Sequence, residues 1–97
     1  MEIKKKNEQF YIGDDPENPL AEMTIVLSGT KQLIIDHTKV SNQLRDQGVS
    51  DQLLAEVVQF ARDKNLKIIP LCPFAKARME KNKEHYIDVL IQNKELV

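Results

Sequence analysis

The 97 residues contain no tryptophan, a single cysteine and only five aromatic side chains, two tyrosines and three phenylalanines. The lone Cys72 excludes an internal disulfide framework. Together with His37 and His85 it falls short of the four nitrogen or sulfur ligands of a structural zinc site, so no metal is expected. Excess charge of one sign is also missing: 14 basic and 15 acidic residues leave a net charge of −1. That balance, with so few aromatics, argues against nucleic-acid binding. No apolar run approaches the roughly 20 residues of a membrane-spanning helix. The segment Met1 to Lys6 lacks the apolar stretch of a secretory signal. The expectation is a cytoplasmic, membrane-free monomer.

What is present is ordinary for one globular domain: 41% apolar and 30% charged residues. The length leaves no room for a second core, so residues 1–97 form one domain, with 92–97 expected to fray. The charges are unevenly spread. Residues 1–36 carry four basic and seven acidic side chains, and the remainder carries ten and eight. Lys76, Arg78, Lys81 and Lys83 cluster around a single acid, Glu80, which suits either a solvated helix face or an anion contact.

The first half reads as strands. Ile3 to Lys6 and Phe10 to Gly13 flank a polar turn and form a hairpin. Ala21, Met23, Ile25 and Leu27 alternate with more polar neighbours, the period of a strand with one buried face. Leu33 to Thr38 runs back as a fourth strand, and short connections imply antiparallel neighbours. The period then changes. Leu53, Leu54, Val57, Val58 and Ala61 lie on one stripe of a helix over 49–64, with Asn65 suited to a left-handed cap. Leu66 to Ile69 supplies a fifth strand, parallel to the fourth through a β-α-β crossover. Pro73 opens a helix to about Lys81, and a shorter last helix carries Tyr86, Val89 and Leu90. The expected fold class is α+β: a mixed five-stranded sheet with four antiparallel strands, one crossover and two short C-terminal helices.

In such a sheet, small ligands sit beyond the carboxyl ends of the strands of the parallel pair. The loop 39–48 and the turn around Cys72 occupy that place. The loop ends at the first turn of the long helix, where unpaired N–H groups and the macrodipole favour an anion such as phosphate. Gly48 lets the backbone approach an anion, and Arg45 can add a charge-assisted contact. Spacing alone favours a glycine that merely starts the helix, with Arg45 solvated, since one glycine is weak evidence of a site.

The run Arg45-Asp46-Gln47-Gly48-Val49-Ser50 resembles the acetyl-coenzyme A signature of the GNAT N-acetyltransferases, [Q/R]-x-x-G-x-[G/A]. The ordered set His37-Thr38-x-Val40, then Cys72-Pro73-Phe74, then Tyr86 is similar to a subfamily of very small GNAT-like proteins pairing H-T-x-V with C-[PS]-[FY] and a late tyrosine. The resemblance covers roughly residues 20–90. It implies a truncated GNAT fold that binds acetyl-coenzyme A (acetyl-CoA). The amides of Arg45, Asp46, Gln47, Gly48, Val49 and Ser50 would take the pyrophosphate. The main chain of His37, Thr38 and Val40 would take the pantetheine arm, with Phe74 also at the cofactor. The thioester would lie between the splayed ends of strands four and five, near Cys72.

Two residues depart from the signature: Asp46 stands where glycine is usual, and Ser50 where glycine or alanine is usual. Asp46 sets a negative charge beside the pyrophosphate. Cys72, before a proline-started helix, is either a small buried hydrophobe or a thiol able to accept acetyl. Tyr86 is the candidate to protonate the leaving thiolate, or else a core aromatic. Glu22, Asp36 and His37 are the available bases. Three functions follow: acetyl transfer to an amine, acetyl-CoA binding without turnover (including self-acetylation of Cys72), or a protein-interaction domain that has lost the ligand. The acceptor is an amine or a thiol.

Overall fold

The computed structural model describes residues 2–91. The chain forms β1 (Lys4–Lys6), β2 (Gln9–Ile12), β3 (Ala21–Ser28) and β4 (Gln32–Val40). A 3-10 turn (Asn42–Leu44), α1 (Val49–Lys64), β5 (Lys67–Pro70), α2 (Pro73–Lys81) and a second 3-10 turn (Lys83–Tyr86) follow. The five strands lie in sequence order, antiparallel from β1 to β4, with β5 parallel to β4. The fold class is the expected one.

Local chemistry accounts for these boundaries. Asn7, at φ 54°, turns the chain between β1 and β2. Asn65 closes α1 in the left-handed conformation at φ 57°, its N–H directed to the carbonyls of Ala61 and Arg62. Pro73 opens α2, where a missing N–H costs nothing. The α1 stripe of Leu53, Leu54, Val57, Val58 and Ala61 is at most 2% exposed. It shares one core with Met23 and Ile25 of β3, Leu33 and Ile35 of β4, Ile68 of β5 and Met79 of α2. Each fully buried large aliphatic side chain there contributes about 1.5–3 kcal/mol.

The second and fifth strands are each displaced by one residue from the sequence reading, to Gln9–Ile12 and Lys67–Pro70, and three other segments also differ. The first strand is shorter than expected and begins at Lys4. The fourth strand extends to Val40 rather than stopping at Thr38, because β3 pairs with it to the end, Ala21 opposite Val40. The last expected helix is a 3-10 turn that stops at Tyr86 and does not include Val89 or Leu90. Leu90 instead bridges Ile68 in parallel: Ile68 N–H donates to the Val89 carbonyl at 2.6 Å, and Ile91 N–H to the Ile68 carbonyl at 3.1 Å. Pairing with the open side of β5 buries Val89 and Leu90, which one exposed helical turn would not. The expected fraying of 92–97 lies outside the described residues.

One irregularity positions everything below. Thr24 pairs with His37 but Ile25 pairs with Ile35, so Asp36 is an extra residue, a β-bulge in β4. Strand parity changes there. Leu33 and Ile35 point into the core before the bulge, whereas Thr38 and Val40 are the sheltered residues after it and His37 is exposed.

Candidate functional site

The parallel ladder ends at Ile35 opposite Pro70, while β4 continues to Val40. Pro70 has no N–H to extend pairing. The next two amides, of Leu71 and Cys72, both turn back to the Ile35 carbonyl at 3.1 Å. Beyond that point the β5-side edge of β4 has no strand partner among the described residues. The strands part where the sequence reading placed the thioester gap.

Cys72 sits at the head of this gap. It is 5% exposed, and its thiol donates to Thr38 Oγ1 at 3.1 Å. Both side chains are those named from sequence. Their union depends on the bulge, because with Asp36 paired in regular alternation the inward position would fall to His37. Phe74, in the first turn of α2, is half-buried against the core and carries the Arg78 guanidinium 5.4 Å from its ring centroid.

Where β4 ends, a cleft of about 400 Å³ opens, lined by Val40, Arg45, Asp46, Gly48, Ser50 and Phe74 among others. Asp46 at φ 64° and Gly48 at φ 72° are both left-handed, flanking Gln47. This alternation turns successive amides to one side, the arrangement of an anion-binding nest. No acceptor in the described chain takes the N–H groups of Asp46, Gly48, Val49, Ser50 or Asp51, and α1 has no side-chain N-cap. A Cβ on Gly48 would meet nothing within 4 Å, so glycine is needed there for its φ and not for space. The Asp46 side chain is exposed and leaves the cleft open.

Charge in the cleft is arranged in a way that sequence did not reveal. Asp51, in the first turn of α1, is ion-paired with Arg78 of α2 at 3.1 Å, so one of the two acids near the seat is already neutralised. Of the basic cluster, only Arg78 lines this cleft; Lys81 and Lys83 line a separate hollow with Asn82. Ser41, between β4 and the loop, was also missed. Its Oγ is buried without a partner, which no local sequence pattern announces. Free amides at the start of a helix, lining an open cleft, suit a ligand rich in anionic oxygen, so the residues present fit the diphosphate of acetyl-CoA.

The remaining candidates lie elsewhere. His37 is on the outer sheet face, with Nε2 3.7 Å from Glu22 Oε2. Tyr86 packs on the core, edge-on to His85 with centroids 4.9 Å apart. The neighbouring His85 carbonyl accepts from Arg62 Nη2 at 2.9 Å, in the last turn of α1. That is the end of α1 remote from Gly48, about 20 Å away at 1.5 Å per residue. Tyr86 has no hydrogen bond or ring contact to Cys72 or Thr38 among the described residues.

The family model for GCN5-related N-acetyltransferases matches residues 9–89. The chain belongs to the GCN5-related N-acetyltransferase family. It is also similar to a GCN5-like protein from Staphylococcus aureus, inferred to be an N-acetyltransferase, whose solution structure was determined by NMR. The two are 49% identical, with a TM-score of 0.78 over 93% of this chain and 87% of the other. No curated protein matches. The GNAT membership and the α+β architecture read from the motifs are therefore correct.

Proposed function

We propose that the protein binds acetyl-CoA and transfers its acetyl group to an amine. The observation that carries this reading is the row of unpaired amides at Asp46 and from Gly48 to Asp51, facing a cleft that reaches Val40 and the unpaired edge of β4. Oriented amides at a helix start bind a diphosphate without further chemistry. Arg45 adds a cation at the rim. The free edge at residues 36–40 offers backbone groups to the pantetheine amides, as an added strand would. The thioester then lies beside Thr38 and Cys72. There the amine nitrogen attacks the thioester carbonyl, forming the C–N bond. The C–S bond breaks, and the proton lost by nitrogen ends on the coenzyme A sulfur.

A second reading rests on the Cys72 thiol at the head of the gap. Its Sγ could take acetyl first, releasing coenzyme A and leaving a protein thioester. Calorimetric titration with acetyl-CoA tests the binding step: saturable heat is expected, and none at millimolar ligand would leave only a protein-interaction domain. Coenzyme A release above the uncatalysed rate with added primary amines tests transfer. Intact-protein mass spectrometry separates the two routes. A mass gain of one acetyl group that disappears in Cys72→Ala marks the thiol route, and unmodified protein during turnover marks direct attack.

A further inference from the structure

We propose that His37 is the base that takes the proton from the acceptor amine, that Glu22 is its positioning residue, and that the acceptor enters from the sheet face opposite Cys72. The proposal deepens the transfer reading and rests on it. After the Asp36 bulge, consecutive residues of β4 serve opposite faces beside the same gap. Thr38 turns inward to the thiol at 3.1 Å, and His37 turns outward. A thioester in the gap therefore has the Cys72–Thr38 pair on one side and an imidazole on the other. With coenzyme A occupying the cleft at the start of α1, the outer face is the side left open to a second substrate.

The imidazole stands beside a carboxylate that is itself anchored. Glu22 Oε2 lies 3.7 Å from His37 Nε2, and Glu22 Oε1 accepts from Gln9 Nε2 at 2.9 Å. The same Gln9 amide donates to the Pro16 carbonyl at 2.8 Å, which ties the carboxylate to the loop before β3. The Glu22 side chain is 19% exposed and that of His37 52%, so the carboxylate is fixed while the ring remains reachable. Assigning the Nε2 proton to the Glu22 side leaves Nδ1 as the acceptor. When Nδ1 takes the amine's proton, the resulting imidazolium faces the Glu22 carboxylate across 3.7 Å, an electrostatic support that needs no direct hydrogen bond. The other groups about His37 are Asp36 and Lys39 on its own strand and Tyr11 of β2, opposite Glu22.

In the step, the amine N–H bond breaks as the C–N bond forms. The proton moves to His37 Nδ1 and then to the departing coenzyme A thiolate, leaving the histidine neutral. Coenzyme A release is measured with acetyl-CoA and benzylamine as the probe amine, across the pH range in which histidine titrates. His37→Gln is expected to lower kcat by about 10²-fold or more, with calorimetric acetyl-CoA affinity unchanged; that affinity also reports that the variant is folded. Glu22→Gln is expected to lower kcat several-fold with the KM for benzylamine and the acetyl-CoA affinity unchanged, a split that a merely structural loss would not give. A His37→Gln enzyme with the wild-type rate, or a wild-type profile without an acid limb, overturns the base. Wild-type protein that binds acetyl-CoA but never acetylates benzylamine overturns it as well. Failure of the wild type to bind acetyl-CoA overturns instead the reading on which it rests.

Discussion

Cys72 Sγ donates to Thr38 Oγ1 at 3.1 Å, bridging β4 and the head of α2 at the point where the sheet opens. Thr38→Val keeps the branched shape and removes the acceptor. It should cost about 1 kcal/mol, the usual net value of one hydrogen bond, read as a lower urea midpoint with an unchanged slope. A larger loss would mean that the hydroxyl supports more of the gap than this one bond.

Gly48 holds φ 72° with open space where a Cβ would go. The penalty of Gly48→Ala is therefore conformational, about 1–2 kcal/mol, and involves no clash. Thermal unfolding should show this loss, and calorimetry a weaker acetyl-CoA affinity, since relaxing φ swings the adjoining amides away from the cleft.

Asp46 is the carboxylate that lines the cleft without an ion-pair partner. At roughly 6 Å from a phosphate, with an effective dielectric between about 20 and 80, its repulsion is on the order of 1–3 kcal/mol before screening. Asp46→Asn removes the charge and retains tolerance of the left-handed backbone. Acetyl-CoA affinity should rise several-fold in low salt, and the gain should fade near 1 M salt.

Tyr86 lies beside the last turn of α1, away from Cys72. Tyr86→Phe retains the ring and removes only the hydroxyl. Coenzyme A release should stay within about twofold of wild type. A fall of tenfold or more would bring the tyrosine into the chemistry as the proton donor.

The Arg62 side chain grips both carboxylate oxygens of Asp88, at 2.9 and 3.1 Å. This hydrogen bonding holds the Asp88 carboxyl below its usual value and raises Arg62. A lowered folded-state value means that the pair's contribution is complete above the unfolded carboxylate value, about 3.9, and is lost as pH falls through the folded one. Wild type should therefore lose stability on acidification below about pH 4 more steeply than Asp88→Asn, measured by urea unfolding at stepped pH.

Most of the fold was legible because period and punctuation agreed. The α1 stripe, Asn65 at its end and Pro73 at the start of α2 each state a boundary locally. Val89 to Ile91 was not legible, because three apolar residues suit a helical turn or a sheet edge equally, and the neighbouring Ile68 decides between them. At the site, Gly48, Thr38, Val40 and Cys72 were readable through the motif. The Asp51–Arg78 pair and the buried Ser41 hydroxyl were not, since both arise from elements distant in the chain or from a loop's descent into the core. The facing of His37 was hidden for a different reason. Strict alternation from Leu33 would have turned it inward, and a bulge leaves no compositional mark.

Asp36 thus acts as a phase shift written into a single strand. Removing that one residue would close the strand into unbroken alternation, Ile35 inward, His37 outward and Thr38 inward, so everything downstream to Val40 would keep its surface; pairing every residue of the strand without the bulge would instead turn the histidine inward and the threonine to solvent. Tolerance to point substitution and tolerance to a one-residue deletion should coincide at this position.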